Sequence, residues 1–238
     1  MLYNQVVNLK TKNQQKVGAI IAAAGSSQRM KGIDKLWFML GGKPALTRVI
    51  DVFQKCNSID YIVVVLGEQN LQSGQTLITK QRWPKVSDIC LGGKRRQDSV
   101  AVGLRHLKDC HWVVIHDGAR PLVTEDLINH GLEAAKETGA SAAAVPITDT
   151  IKLAGDGRIV QQTLERHNLW AVQTPQVFRF DIIDKAYHQP KSDVTDDASL
   201  VEKLGYRVKL YMGSYGNIKI TTPEDLDLAN ALWRKYER

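Results

Sequence analysis

"VGAIIAAAGSSQRMKGIDK", residues 17–35, begins as an unbroken apolar run and turns polar at a single glycine, Gly25. Four further runs share its apolar, largely β-branched character, at 61–66, 86–91, 112–116 and 140–145. Continuous apolar character without alternation predicts strands covered on both faces, as in a parallel sheet. The segments between them have helical periodicity. Residues 44–56 bring Leu46, Val49, Ile50 and Phe53 to one face behind Pro44, which suits a first turn. Residues 125–138 do the same with Leu127, Ile128, Leu132 and Ala135 after the cap candidate Thr124, and 97–108 reads as a third helix. This alternation predicts an α/β fold, an open, mostly parallel twisted sheet with helices on both faces. Ligands of such sheets sit beyond the carboxyl ends of the strands, where the loop after residue 24 lies.

The pattern changes after Pro146. Residues 149–163, "DTIKLAGDGRIVQQT", alternate polar and apolar around Gly155-Asp156-Gly157 and predict a β-hairpin. A lone hairpin is marginal in water, so it is expected to pack against something else, such as a second subunit. Helices follow near 180–188 and 196–204, then strands at 207–211 and 217–221. A closing helix has Thr222 as cap and Pro223 in its first turn. No linker interrupts the chain. The expected organisation is a basic tail over 1–16 and one domain over 17–238, with a projecting β-arm at about 147–169.

The net charge is +7, of which Lys10, Lys12 and Lys16 supply +3 in a stretch without acids. The remaining excess is modest over 222 residues, and clusters such as Lys94-Arg95-Arg96 fall in loops, which suits a small anionic ligand better than a duplex. Neither nucleic acid nor membrane is an expected partner. The longest apolar run is far short of the ~20 residues that span a bilayer, and residues 1–16 carry no secretory pattern. Cys56, Cys90 and Cys110 are widely spaced, odd in number and without zinc-site spacing, as in a reduced cytoplasmic protein.

What the loop after Gly25 binds is not settled by its own pattern. It lacks the G-x-x-x-x-G-K-[ST] of a P-loop, and Ser27 and Met30 stand where a dinucleotide fingerprint needs glycine. A small-residue turn remains, whose backbone N–H groups can approach phosphate oxygens, followed by Arg29 and Lys35. An ordinary turn with solvated charges has the same pattern.

Seven segments occur together in one order: "AAAGSSQRM…DK", "GGKRRQDSV", "HDGARPLV", "PITDTIK", "TPQVF", "VTDDASLVE" and "NIKITTPEDL". In this the chain resembles the 2-C-methyl-D-erythritol 4-phosphate cytidylyltransferase family, nucleotidyl-transfer enzymes of the non-mevalonate isoprenoid pathway, from about Val17 to the C-terminal helix. The resemblance implies a nucleotide-diphospho-sugar transferase-like fold and a reaction of CTP with a sugar-alcohol phosphate to give a CDP-alcohol and pyrophosphate. The attacking phosphate oxygen is already largely ionised near neutrality. Catalysis then consists of bringing two anions together and stabilising charge, and His116 is expected to be structural.

Residue by residue, the resemblance makes Arg29 and Lys35 the catalytic cations. It gives CTP contacts to Ala23, Ala24, Gly25, Gly93, Ser99 and Gly118. The sugar-alcohol phosphate falls to Asp117, Arg120, Thr150, Arg166, Thr174, Thr195 and Lys219, with Asp117 also a ligand for Mg²⁺ or another divalent cation. Lys94 and Arg95 depart from acidic residues of some relatives. The arm implies a homodimer in which one subunit contributes to its neighbour's pocket. The alternatives are a ribitol-5-phosphate cytidylyltransferase, a uridylyl- or guanylyltransferase of sugar 1-phosphates, a catalytically silent nucleotide-binding protein and a basic nucleic-acid-binding module.

Overall fold

The computed structural model describes residues 15–25, 30, 32, 34–107, 109–189 and 193–236. The chain opens with β1 (Val17–Ala23). The small ladder β2 (Met39–Leu40) and β3 (Lys43–Pro44) leads into α1 (Ala45–Lys55). Then come β4 (Tyr61–Leu66), α2 (Glu68–Gln81), β5 (Val86–Leu91), α3 (Arg96–His106), β6 (Trp112–Asp117), α4 (Glu125–Thr138) and β7 (Ala140–Pro146). The arm holds β8 (Lys152–Ala154) and β9 (Val160–Thr163). The chain returns through β10 (Trp170–Arg179), α5 (Phe180–Tyr187), α6 (Asp197–Lys203), β11 (Lys209–Met212) and α7 (Glu224–Tyr236).

Seven strands form one sheet in the order β11-β7-β10-β6-β1-β4-β5, with β10 antiparallel to both neighbours and the other pairings parallel. Both faces are covered. On β1, Val17, Ala19, Ile21 and Ala23 join a core with α1, α2 and α4, whereas Ile20 joins the opposite core with α3, α5 and α6. Two-sided burial is why the strands read as apolar runs rather than alternating ones. Thr124 caps α4 by accepting the Leu127 N–H at 3.3 Å.

Three elements differ from expectation. The segment at 217–221 is not a strand. It docks through Ile220 N–H to the Ala119 carbonyl at 2.8 Å and lies outside every ladder. α2 escapes a periodicity reading because its surface is mostly Gln, Asn and Thr, with only Asn70 and Gly74 buried. β10 escapes it because Pro175 argues against a central strand. The structure accommodates the proline in a register shift between Val172 and Gln176, where side chains replace the missing ladder bonds. Tyr211 Oη donates to the Pro175 carbonyl at 2.9 Å, and Asn217 Nδ2 to that of Thr174 at 2.8 Å.

The expected hairpin is present as β8 paired antiparallel with β9, and every residue of both strands is exposed. Of the basic tail only Gln15 and Lys16 fall among the described residues. Lys16 donates to Tyr61 Oη at 2.9 Å.

Candidate active site

The carboxyl ends of β1 and β6 open into a cleft in two parts that share Arg96, Asp117 and Lys219. The first part, about 120 Å³, is lined by Ala22, Ala23, Ala24, Gly25, Lys35 and Ser99, among others. The second, about 380 Å³, includes Arg120, Thr174, Thr195, Asp196 and Ser199. Residues far apart in the chain meet here because the sheet order brings β1, β6 and β10 side by side.

Asp117 is the hub. Its Oδ1 accepts from Arg96 Nε at 2.9 Å, its Oδ2 pairs with Lys219 Nζ at 2.8 Å, and Arg120 Nε lies 3.7 Å from the same oxygen. Burial by itself raises a carboxyl pKa, but the surrounding Arg96, Lys219 and Arg120 hold this one far below the usual carboxylate range. Arg96 is in turn clamped by the buried Asp197, 2.8 Å from its Nη1. Burial lowers the Arg96 pKa, yet Asp197 and Asp117 keep it above its ordinary value. Among the described residues, Arg96 Nη2 and Arg120 Nε have no hydrogen-bond partner. Arg96, Arg120 and Lys219 against Asp117 and Asp197 leave this cluster one net positive charge, which suits a phosphorylated ligand.

The other walls are built by close packing. A Cβ on Gly118 would lie 2.7 Å from that of Ala23, so the loops after β1 and β6 meet only with glycine there. A Cβ on Gly93 would lie 2.4 Å from that of Asp98, which seats the exposed loop before α3 directly on its helix; Gly93 N–H reaches Ser99 Oγ at 3.2 Å. The end of the loop after Gly25 is tied to α2. Asp34 Oδ2 accepts from Asn70 Nδ2 at 2.7 Å, and Asn70 Oδ1 accepts from Trp37 Nε1 at 2.7 Å. This bracket holds the segment from which Lys35 lines the cleft.

Of the expected site residues, Ala23, Ala24, Gly25, Lys35, Ser99, Asp117, Arg120, Thr174, Thr195 and Lys219 line the cleft, and Gly93 and Gly118 pack its walls. Arg29, with Ser26, Ser27 and Gln28, lies outside the described residues. Thr150 and Arg166 are exposed on the arm and line neither part of the cleft; Arg166 Nη1 donates to the Thr148 carbonyl at 2.7 Å. Arg95 pairs with Asp98 and Asp193 on the outside. The basic residue that enters the cleft from this run is Arg96, which the sequence marks only as part of a basic cluster and not as a site residue. Its signal was its place three residues before Ser99, at the start of a helix already expected there. Asp197 is the second miss: it pairs with Arg96 and accepts from Tyr187 Oη at 2.6 Å.

Among the described residues there is no group of three or more His, Cys, Asp or Glu able to hold a metal ion. Asp117 is the carboxylate that lines both parts of the cleft, and both its oxygens already face cations. The donor set therefore fits a divalent ion carried mainly by phosphate oxygens and water, with Asp117 as its carboxylate contact.

The family model for 2-C-methyl-D-erythritol 4-phosphate cytidylyltransferase matches residues 17–235. The chain belongs to this family. It is 52% identical over 221 residues to the 2-C-methyl-D-erythritol 4-phosphate cytidylyltransferase of Dehalococcoides mccartyi (strain ATCC BAA-2266 / KCTC 15142 / 195), covering 93% of this chain and 97% of that one. It is 45% identical to that of Alkaliphilus oremlandii (strain OhILAs), covering 93% and 96%. The solved structure of the 4-diphosphocytidyl-2C-methyl-D-erythritol synthase of Anaerococcus prevotii superposes with a TM-score of 0.81 at 30% identity, covering 94% of this chain and all of that one. The cytidylyltransferase of Thermus thermophilus gives 0.77 at 31% identity, covering 92% of this chain and all of that one. The cytidylyltransferase family is one of nucleotidyltransferases, and the chain is an enzyme of that class. No helix among the described residues is long and apolar enough to cross a membrane.

Proposed function

We propose that the enzyme joins CTP to 2-C-methyl-D-erythritol 4-phosphate, giving 4-diphosphocytidyl-2-C-methyl-D-erythritol and pyrophosphate. A phosphate oxygen of the alcohol phosphate attacks the CTP α-phosphorus in line with the departing pyrophosphate. The observation that carries this reading is the convergence of Arg96, Arg120 and Lys219 on Asp117 beside Lys35, in a chain of this family.

Ala23, Ala24, Gly25, Gly93, Ser99 and Gly118 form the CTP side, where small residues let the backbone approach base and ribose. Lys35 and Arg29 stabilise the charge that develops on the transferred phosphoryl group. Asp117, Arg120, Thr174, Thr195 and Lys219 receive the alcohol phosphate. No general base is required, and His116 is spent elsewhere: burial, against the opposing Arg120 contact, pushes its pKa down to about 4, and both ring nitrogens are engaged. Asp117 would give one oxygen to Mg²⁺, which bound with CTP would neutralise triphosphate charge.

We also propose one domain over 17–238 with the arm at about 147–169, working as a homodimer in the cytoplasm. The support for the dimer is the arm itself. Leu153, Ile159 and Val160 are exposed by 48%, 70% and 54%, and Thr150 and Arg166 line neither part of their own chain's cleft. The support for a reducing compartment is that Cys56, Cys90 and Cys110 are buried and outside any disulfide. The partners are two small anions, not a polynucleotide, because the cations line a cleft.

The test is pyrophosphate release from CTP and Mg²⁺ with methylerythritol 4-phosphate, run beside ribitol 5-phosphate and an Arg29→Ala control. Turnover with the first substrate alone, heavily reduced in the control, is expected. Turnover with ribitol phosphate alone would move the enzyme to that alternative. Silence with both, in a folded protein that binds CTP, would overturn the reading.

A further inference from the structure

His116 is completely buried at the carboxyl end of β6, beside the hub carboxylate, and the reaction makes no call on it. Its surroundings fix its protonation pattern. Nε2 lies 3.1 Å from the Arg120 carbonyl oxygen, which can only accept, so Nε2 carries the proton. Phe53 is the ring against it, with centroids 5.4 Å apart, and no ion pair to His116 is found among the described residues. Completely buried and without such a pair, the imidazole is neutral and Nδ1 is a bare acceptor. Thr174 Oγ1 lies 3.0 Å from Nδ1, so the threonine hydroxyl donates its proton there. The same Oγ1 accepts the Asp117 N–H at 3.0 Å. A hydroxyl has one proton and two lone pairs. With the proton and one pair committed, Thr174 has only an acceptor left.

We infer that His116 is a positioning residue that sets the hydrogen-bond polarity of Thr174, so that Thr174 receives a hydroxyl of the substrate's alcohol portion and not its phosphate. This rests on the proposed reading of the cleft as an alcohol-phosphate site. The two ends of such a substrate then sort by chemistry. The phosphate dianion, which only accepts, goes to the Arg and Lys donors; a hydroxyl, which can donate, goes to Thr174. A rotor free to turn would offer its proton to either end and blur the distinction. His116 removes that freedom, and through the Arg120 carbonyl it pins the loop that carries a phosphate-binding guanidinium.

Two measurements test this, and they fail differently from the reading beneath it. In protein with ¹⁵N-labelled histidine, NMR of the ring nitrogens is expected to show His116 neutral and protonated at Nε2. An Nδ1–H tautomer or an imidazolium at neutral pH overturns the inference whether or not the enzyme turns over. In steady-state kinetics, His116→Leu is expected to raise the KM for methylerythritol phosphate about 10-fold with the CTP KM unchanged. His116→Asn, whose Oδ1 restores an acceptor near Nδ1, is expected to stay within about threefold of wild type. Thr174→Val should match the leucine variant, and adding His116→Leu to it should cost less than about twofold more, since both act through one hydroxyl. Losses that multiply, an equal rise in the CTP KM, or an asparagine variant as poor as the leucine one would each overturn it. If His116→Leu fails to fold, the asparagine variant, Thr174→Val and the NMR tautomer carry the test. A wild-type enzyme silent with every alcohol phosphate, yet with the Nε2–H tautomer, would remove the substrate reading and with it Thr174's role, leaving only the local geometry.

Discussion

The cleft and the arm solve opposite problems. At the cleft one chain buries charge and must compensate it internally: Asp117 is 8% exposed among three cations, and Asp197 is 1% exposed against Arg96. On the arm, β8 and β9 are exposed throughout, and the cationic side chain of interest, Arg166, donates to a nearby backbone carbonyl. The cleft residues therefore hold the fold and, on the proposed reading, serve the chemistry as well, whereas the arm residues are separable from the stability of their own chain. Substitutions in the two regions should differ in kind as well as in size.

The largest effect is expected at the hub. Asp117→Ala leaves Arg120 without a counter-charge and Arg96 with Asp197 alone, and breaking a buried charge network in this way costs about 3–5 kcal/mol. Urea unfolding should show that loss together with abolished turnover, and an unchanged midpoint would mean that the cations are held by something else.

Next comes pH. His116 titrates at about 4 in the folded protein against 6.5 when unfolded. The unfolded chain takes up the proton first as pH falls, so stability declines between pH 6.5 and 4 by about 3 kcal/mol. Asp117, whose folded pKa is depressed, keeps its contribution through most of that window and loses it at lower pH. His116→Asn should flatten the slope between pH 6.5 and 4; an undiminished slope would assign it to other groups.

On the arm the signs separate. Arg166→Ala is expected to lower turnover by about 10²-fold, the scale of losing one charge-stabilising donor, with the melting temperature unchanged. A melting temperature that falls with turnover would show that the arm supports its own chain after all. The smallest effect lies far from both regions: Thr124→Ala removes the cap of α4 and should cost about 1 kcal/mol with no change in turnover.

How legible these regions were in the sequence follows the same division. Strands covered on both faces announce themselves, and each of the apolar runs begins where the structure begins its strand and ends within one residue of it. β10 did not, because its middle gives up ladder bonds around Pro175 and recovers them from Tyr211 and Asn217, partners 36 and 43 residues away. α2 did not, because a helix lying on the sheet edge needs little apolar surface. At the cleft, motifs singled out residues that line it but not their pairing. Lys94 and Arg95 drew notice as unusual, yet Arg96 beside them is the residue that turns inward, and only the arrival of Asp117 and Asp197 from other elements decides that. The arm's destination is illegible for a simpler reason: on the dimer reading, it depends on a second chain.

That destination gives the most direct test. Lys219→Ala damages the cleft and Arg166→Ala the arm, and each variant alone should release little pyrophosphate from CTP and methylerythritol phosphate. If a site is built from the cleft of one chain and the arm of another, mixing the two variants and allowing subunits to exchange restores one intact site in each mixed dimer. Turnover should then recover to about a quarter of the wild-type level for random pairing. A mixture as inactive as its parents, with subunit exchange verified, would contradict the shared site.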